Sequence, residues 1–141
     1  MNQLAEFLVN HWGLSLALLL VLGLLIGGEI RRKLRGIPNI APLEATRLVN
    51  HEQAIVLDTR DEGEYRQGHI LNAVHIPLAD LERRSTELER FKGRPVIAYC
   101  RSGNRSLSAG ALLKKQGFER VFNLGGGILA WQNANLPVTT K

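Results

Sequence analysis

Apolar stretches of two kinds run along this chain, one long and the others short. From Phe7 to Gly28 there is no Asp, Glu, Lys or Arg, and Leu14 to Ile26 is almost wholly Leu, Val, Ala and Gly. Twenty-two residues wound as a helix reach roughly 33 Å, enough for a bilayer hydrocarbon core of about 30 Å. The short runs come later and are bounded by polar and turn residues. Pro95–Tyr99 predicts a buried parallel strand and Ala54–Asp58 a second; Asn72–Ile76 predicts a short one before Pro77, Val121–Asn123 a last one, and Ile40 ends a first. Between them the period lengthens. Pro42 suits the first turn of a helix whose apolar positions are Leu43, Ala45, Leu48 and Val49, and Glu62–Gln67 reads as a short helix ended by Gly68. Leu81–Phe91 reads as a surface helix or helix pair, Ser106–Gln116 as a helix, Gly125–Gly127 as a sharp turn and Ile128–Asn133 as a closing helix. Strands alternating with helices predict a parallel sheet covered on both faces, an α/β three-layer domain.

The long run therefore predicts a single-pass membrane anchor. A cleaved signal peptide would want a basic n-region and a small-residue cleavage site, and a buried core helix would be about half as long. Glu6 is the only charge before the run, whereas Arg31, Arg32, Lys33 and Arg35 follow it at once. By the positive-inside rule the part after the span is cytoplasmic, as in a bacterial inner-membrane protein. The expected division is an anchor with its basic flank over 1–36 and a soluble domain over 37–141, with residues 7–28 as the membrane contact. Trp12, Asn10 and His11 fit the headgroup interface. Gly23 and Gly27 form a G-x-x-x-G spacing that would allow a weak helix-mediated dimer.

Charge adds little beyond topology. Of the formal +5, residues before 29 carry −1, residues 29–36 carry +3 and the domain the remaining +3. The basic cluster is explained by the membrane, so no nucleic-acid partner is expected. One Cys and four scattered His make no usual zinc site, and neither a metal nor a cofactor is expected.

The chemistry gathers at Cys100, the only cysteine. It stands where the strand 95–99 ends and Arg101-Ser102-Gly103-Asn104-Arg105-Ser106 leads into a helix. A strand-to-helix loop aims several backbone N–H groups at one spot, and two arginines add positive charge, which together favour an anion and a thiolate. A buried cysteine serving as apolar filler would sit inside the strand run instead of directly after it. In a reducing compartment the thiol stays free.

With these residues in place the chain resembles a single-domain rhodanese, a thiosulfate sulfurtransferase-like protein, carried on a membrane anchor. Asp58-Thr59-Arg60, Glu64-Tyr65, Gly68-His69-Ile70, Asn72-Ala73 and Ile76-Pro77 are similar to the family's first motifs, and Cys100 to Ser106 to its catalytic loop. Gly117-Phe118, Val121, Leu124-Gly125-Gly126 and Ala130-Trp131 resemble its C-terminal signature. The resemblance implies a central sheet of about five parallel strands and transfer of sulfane sulfur through a cysteine persulfide. On that reading Cys100 is the nucleophile. Arg101, Ser102, Gly103, Asn104, Arg105 and Ser106 bind a small anionic sulfur donor, and a thiol or cyanide takes the sulfur, since no second cysteine resolves the persulfide.

Two other classes compete. Cysteine-dependent phosphatases and arsenate reductases resemble the same architecture but place arginine after five intervening residues; here Arg105 follows after four, a tighter cradle. A membrane-tethered module that only recruits partners would need no chemistry from Cys100. Asp58, Arg60 and Glu64 read as a polar and ion-pair network at strand ends, His69 and His75 as locally satisfied, and Trp131 as core packing. Gly125–Gly127 lacks the Lys-Ser/Thr of a phosphate loop and reads as a turn with φ > 0.

Overall fold

The computed structural model describes residues 2–141, apart from the side chains of residues 31–35. The basic flank Arg31, Arg32, Lys33 and Arg35 therefore lies outside the described side chains. The chain divides into two compact units, Met1–Gly36 and Ile37–Lys141.

In the first unit, α1 (Asn2–Asn10) and α2 (Trp12–Arg35) meet at His11. Helical hydrogen bonds pass through the junction, His11 N to Phe7 O at 3.0 Å and Ser15 N to His11 O at 3.0 Å. The His11 ring stacks on Phe7 with 4.5 Å between centroids. The stretch long and apolar enough to cross a membrane is Trp12–Ile30. This stretch overlaps the expected span of 7–28, whose first residues, Phe7–Asn10, belong to α1.

The second unit is the three-layer α/β domain. Among the described residues five parallel strands form one sheet in the order β1-β6-β5-β2-β4, where β1 is Asn39–Ile40, β2 Ile55–Asp58, β4 Val74–His75, β5 Val96–Tyr99 and β6 Val121–Leu124. The central strand β5 is hydrogen-bonded to β2 and β6, pairing Val96 with Ile55 on one side and with Val121 on the other. Its side chains point alternately to two cores. Ile97 and Tyr99 join Ala45, Leu48, Ile128 and Trp131 from α3 (Pro42–Glu52) and α7 (Gly127–Asn133). Val96 joins Leu81, Leu88, Ala109 and Leu113 from α5 (Leu78–Arg84), a 3₁₀ turn (Ser85–Phe91) and α6 (Asn104–Lys115). Burial on both faces is why these strands read as unbroken apolar runs.

Three local features differ from the sequence reading. The helix after Cys100 begins at Asn104, two residues early, because Gly103 at φ +103° turns the chain directly into it. The stretch 81–91 is a pair dividing at Ser85, as one of its two readings has it, but its first member α5 already begins at Leu78. A small antiparallel ribbon pairs β3 (His69–Ile70) with β7 (Val138–Thr139). Short α4 (Glu62–Gln67) lies just before it, as expected.

Candidate active site

Parallel strands deliver their C-terminal ends to one edge of the sheet, where binding crevices form. The central strand β5 brings Cys100 to that edge. The side chain is only 1% exposed, but the groups that meet its sulfur are polar. Gly103 N donates to Sγ at 3.1 Å, and Ser106 Oγ lies 3.4 Å from it. Burial pushes the thiol pKa up. The Ser106 hydroxyl and the backbone N–H groups of Ser106, Gly103 and Ser102 outweigh burial and hold it below the ordinary cysteine value.

The loop keeps this shape because its carbonyls are held on the opposite side. Ile128 N donates to Cys100 O at 2.9 Å and Leu129 N to Arg101 O at 3.3 Å, both from the first turn of α7. In a planar trans peptide C=O and N–H point opposite ways, so turning Arg101 O toward α7 turns Ser102 N–H toward sulfur. Gly127, at φ +59°, makes this approach possible: a Cβ there would lie under 3.0 Å from the carbonyl oxygens of both Cys100 and Arg101. The triple glycine is a turn, and it is also what allows α7 to grip the loop.

The predicted site residues separate by role. Ser102, Gly103 and Ser106 bear on Sγ directly. Arg101 and Asn104 are exposed, and among the described residues no carboxylate pairs with Arg101. Arg105 faces Glu64, with Nη1 to Oε1 at 2.8 Å and Nη2 to Oε2 at 2.9 Å. This two-pronged pair is 38% and 30% exposed. It lowers the Glu64 carboxyl pKa through the Arg105 hydrogen bonds and raises the Arg105 pKa through the same contacts, the Cys100 sulfur adding to the latter. Glu64 therefore belongs to the loop and not to the Asp58–Arg60 pair with which it was grouped.

Asp58 and Arg60 are a buried network, as read from the sequence. Arg60 Nη2 meets Asp58 Oδ2 at 2.8 Å and Gly68 O at 2.7 Å, and Tyr99 Oη donates to Asp58 Oδ2 at 2.6 Å while accepting Ile70 N at 3.1 Å. His75 Nε2 lies 2.8 Å from Arg60 O and His69 Nδ1 2.9 Å from Tyr65 O, both rings stacked on Tyr65. Trp131 is buried in the core and donates to Pro137 O at 2.9 Å. Among the described residues no three His, Cys, Asp or Glu side chains gather as metal ligands.

Sequence reasoning missed Asn123. Its Nδ2 donates to Asn39 Oδ1 at 2.7 Å and to Gly103 O at 3.1 Å, and its Oδ1 accepts from Ser106 Oγ. The signal was present: a polar side chain inside a strand run needs buried partners.

A cysteine at the sheet edge, wrapped by loop N–H groups with arginine following after four residues, is the arrangement that the family resemblance implies, and residues 41–134 match the rhodanese-like domain family. The chain belongs to that family. Among its relatives, the YibN protein of Escherichia coli K12 is 32% identical over 139 residues, 98% of this chain and 97% of its own. That match takes in the N-terminal helices as well as the rhodanese-like domain. The thiosulfate sulfurtransferase GlpE of Coxiella burnetii is 38% identical over 93 residues, 66% of this chain and 85% of its own. The crystal structure of a rhodanese-related protein from Thermoplasma volcanium superposes with a TM-score of 0.67 at 27% identity, over 74% of this chain and 99% of that one. The rhodanese-like domain, with relatives named sulfurtransferases, supports sulfurtransferase-type activity.

Proposed function

We propose that the protein is a membrane-anchored rhodanese-type enzyme of the thiosulfate:cyanide sulfurtransferase class, which moves sulfane sulfur from thiosulfate or a similar small anion to a thiol or cyanide through a Cys100 persulfide. The observation that carries this reading is the hydrogen bond from Gly103 N–H to Sγ at 3.1 Å, together with the Ser106 hydroxyl 3.4 Å from the same sulfur. They stabilise the thiolate that must attack the donor's outer sulfur. As the new S–S bond forms, the bond to sulfite breaks and its electron pair leaves with sulfite. The exposed Arg101 guanidinium suits the donor's anionic oxygens. An acceptor thiolate or cyanide then bonds to the terminal sulfur, and the electron pair of the breaking S–S bond returns to Cys100. Each half-reaction restores charge where the N–H groups wait for it.

The anchor reading rests on Trp12–Ile30. The basic residues after it favour a cytoplasmic domain. Thiosulfate exposure of the full-length protein in detergent should add the mass of one sulfur at Cys100, removable by cyanide. Hydrolysis of an aryl phosphate through Cys100 with no sulfur uptake would establish the phosphatase instead. Full cellular function in Cys100→Ser would leave only the recruitment module. External protease on spheroplasts should spare the domain; digestion there would overturn the orientation.

A further inference from the structure

The Ser106 hydroxyl has one proton and two acceptors. On one side is Cys100 Sγ at 3.4 Å; on the other is Asn123 Oδ1. A hydroxyl donates one hydrogen bond at a time. The Asn123 amide is fixed in its orientation, because Nδ2 donates to the carbonyl of Gly103 at 3.1 Å, a group that can only accept. Its oxygen therefore faces Ser106 and has nothing to donate. Asn123 and Ser106 are both buried, so a carbonyl oxygen deprived of its donor would pay the desolvation cost of an unmet acceptor.

We propose that Asn123 is a positioning residue for sulfur transfer, competing with the Cys100 sulfur for the Ser106 hydroxyl so that the attacking thiolate has that hydrogen bond only in part. This rests on Cys100 being the sulfur carrier. While Cys100 is a thiol its sulfur is only a weak acceptor, and the hydroxyl donates to Asn123. Once the proton has gone to solvent, thiolate and amide oxygen compete for a single donor. Partial denial of that donor leaves the sulfur more nucleophilic, because thiolate reactivity rises with basicity. In the second half-reaction the acceptor bonds to the terminal sulfur, the S–S bond breaks and its electron pair settles on Sγ. The hydroxyl can then rotate to the departing sulfur with no bond made or broken at Ser106. The charged groups facing this sulfur are Arg105 on α6 and, through it, Glu64 on α4; both are unchanged in the variants below.

The chain's single cysteine makes the test direct. The rate of iodoacetamide alkylation of the full-length protein in detergent, followed against pH, gives a midpoint and a plateau without any turnover. Asn123→Ala should lower the midpoint by about one pH unit, the effect of a freed hydrogen bond to a charge. It should also lower the plateau rate about threefold. In a Ser106→Ala background the same replacement should move neither. An equal shift in both backgrounds, or a raised midpoint in the first, would show that Asn123 only secures the loop through Gly103 O and would overturn the proposal. Should Asn123→Ala fail to fold, Asn123→Ser carries the same comparison, its hydroxyl being too short to reach Ser106. Sulfur uptake by mass spectrometry, measured separately, tells failure of this proposal from failure of the sulfurtransferase reading.

Discussion

Replacing Gly127 by alanine tests whether the grip of α7 on the Cys100 loop sets both stability and thiol chemistry. Gly127 sits at φ +59°, a left-handed conformation that costs alanine about 1–2 kcal/mol. Its new Cβ would lie under 3.0 Å from the carbonyl oxygens of Cys100 and Arg101. Both oxygens belong to backbone, so no rotamer change relieves the overlap and the loop must move away from α7. That movement weakens the hydrogen bonds from Ile128 N and Leu129 N, each contributing about 1 kcal/mol. The combined loss is about 2–4 kcal/mol, which lowers the melting temperature by at least about 8 °C for a domain of this size. The same displacement swings Ser102 N–H off the sulfur, so the midpoint of Cys100 alkylation should rise. Gly63→Ala is the control. In α4, with ordinary φ and nothing within 4 Å of an added Cβ, it should be neutral or gain about 0.5 kcal/mol. Calorimetry and alkylation on the full-length protein read both quantities. A Gly127→Ala protein that melts with the wild type and alkylates at an unchanged midpoint would refute the reasoning.

Glu64→Gln removes the negative partner of Arg105 while keeping the shape. The uncompensated guanidinium should lower the alkylation midpoint further, and stability should fall by no more than about 1 kcal/mol because the pair is partly exposed. The folded Glu64 carboxyl has a lowered pKa. Its stabilising effect is therefore complete above the ordinary carboxylate range and is lost as pH falls through the lowered value, so the gap between the two proteins should close in acid. Chemical denaturation at a series of pH values checks this. Tyr99→Phe takes a donor from Asp58 and an acceptor from Ile70 N, both buried. It should cost about 1–3 kcal/mol in denaturation and leave the alkylation midpoint in place, since the ring sits on the opposite side of β5 from the loop network.

The strands and the site loop were legible because two-sided burial leaves a plain trace: Val96 to Tyr99 are apolar without interruption and stop at Cys100. Of the stretch that follows, Gly103 and Ser106 meet the sulfur, while Arg101 and Asn104 are exposed and Arg105 turns to Glu64. What stayed hidden depends on contacts distant in sequence. Nothing local says that Glu64 reaches Arg105 and not Arg60; that follows from where α4 lands beside α6. The ribbon of His69–Ile70 with Val138–Thr139 has two residues on each side, too few to show a period. The early start of α6 hung on a positive φ at Gly103, and glycine alone does not announce which sign it takes. Asn123 was passed over because one polar residue in a four-residue strand resembles noise until the side chains of Ser106 and Asn39 arrive beside it.

The depth of the Cys100 sulfur has an effect on the company it can keep. A disulfide requires the two α-carbons to come within about 7 Å, and a side chain 1% exposed beneath its own loop cannot offer that approach to an equally sunken twin. Two copies held side by side are thus protected from cross-linking through their sulfur atoms. On the proposed sulfurtransferase reading, an acceptor thiol succeeds only by bringing a slender, protruding tip.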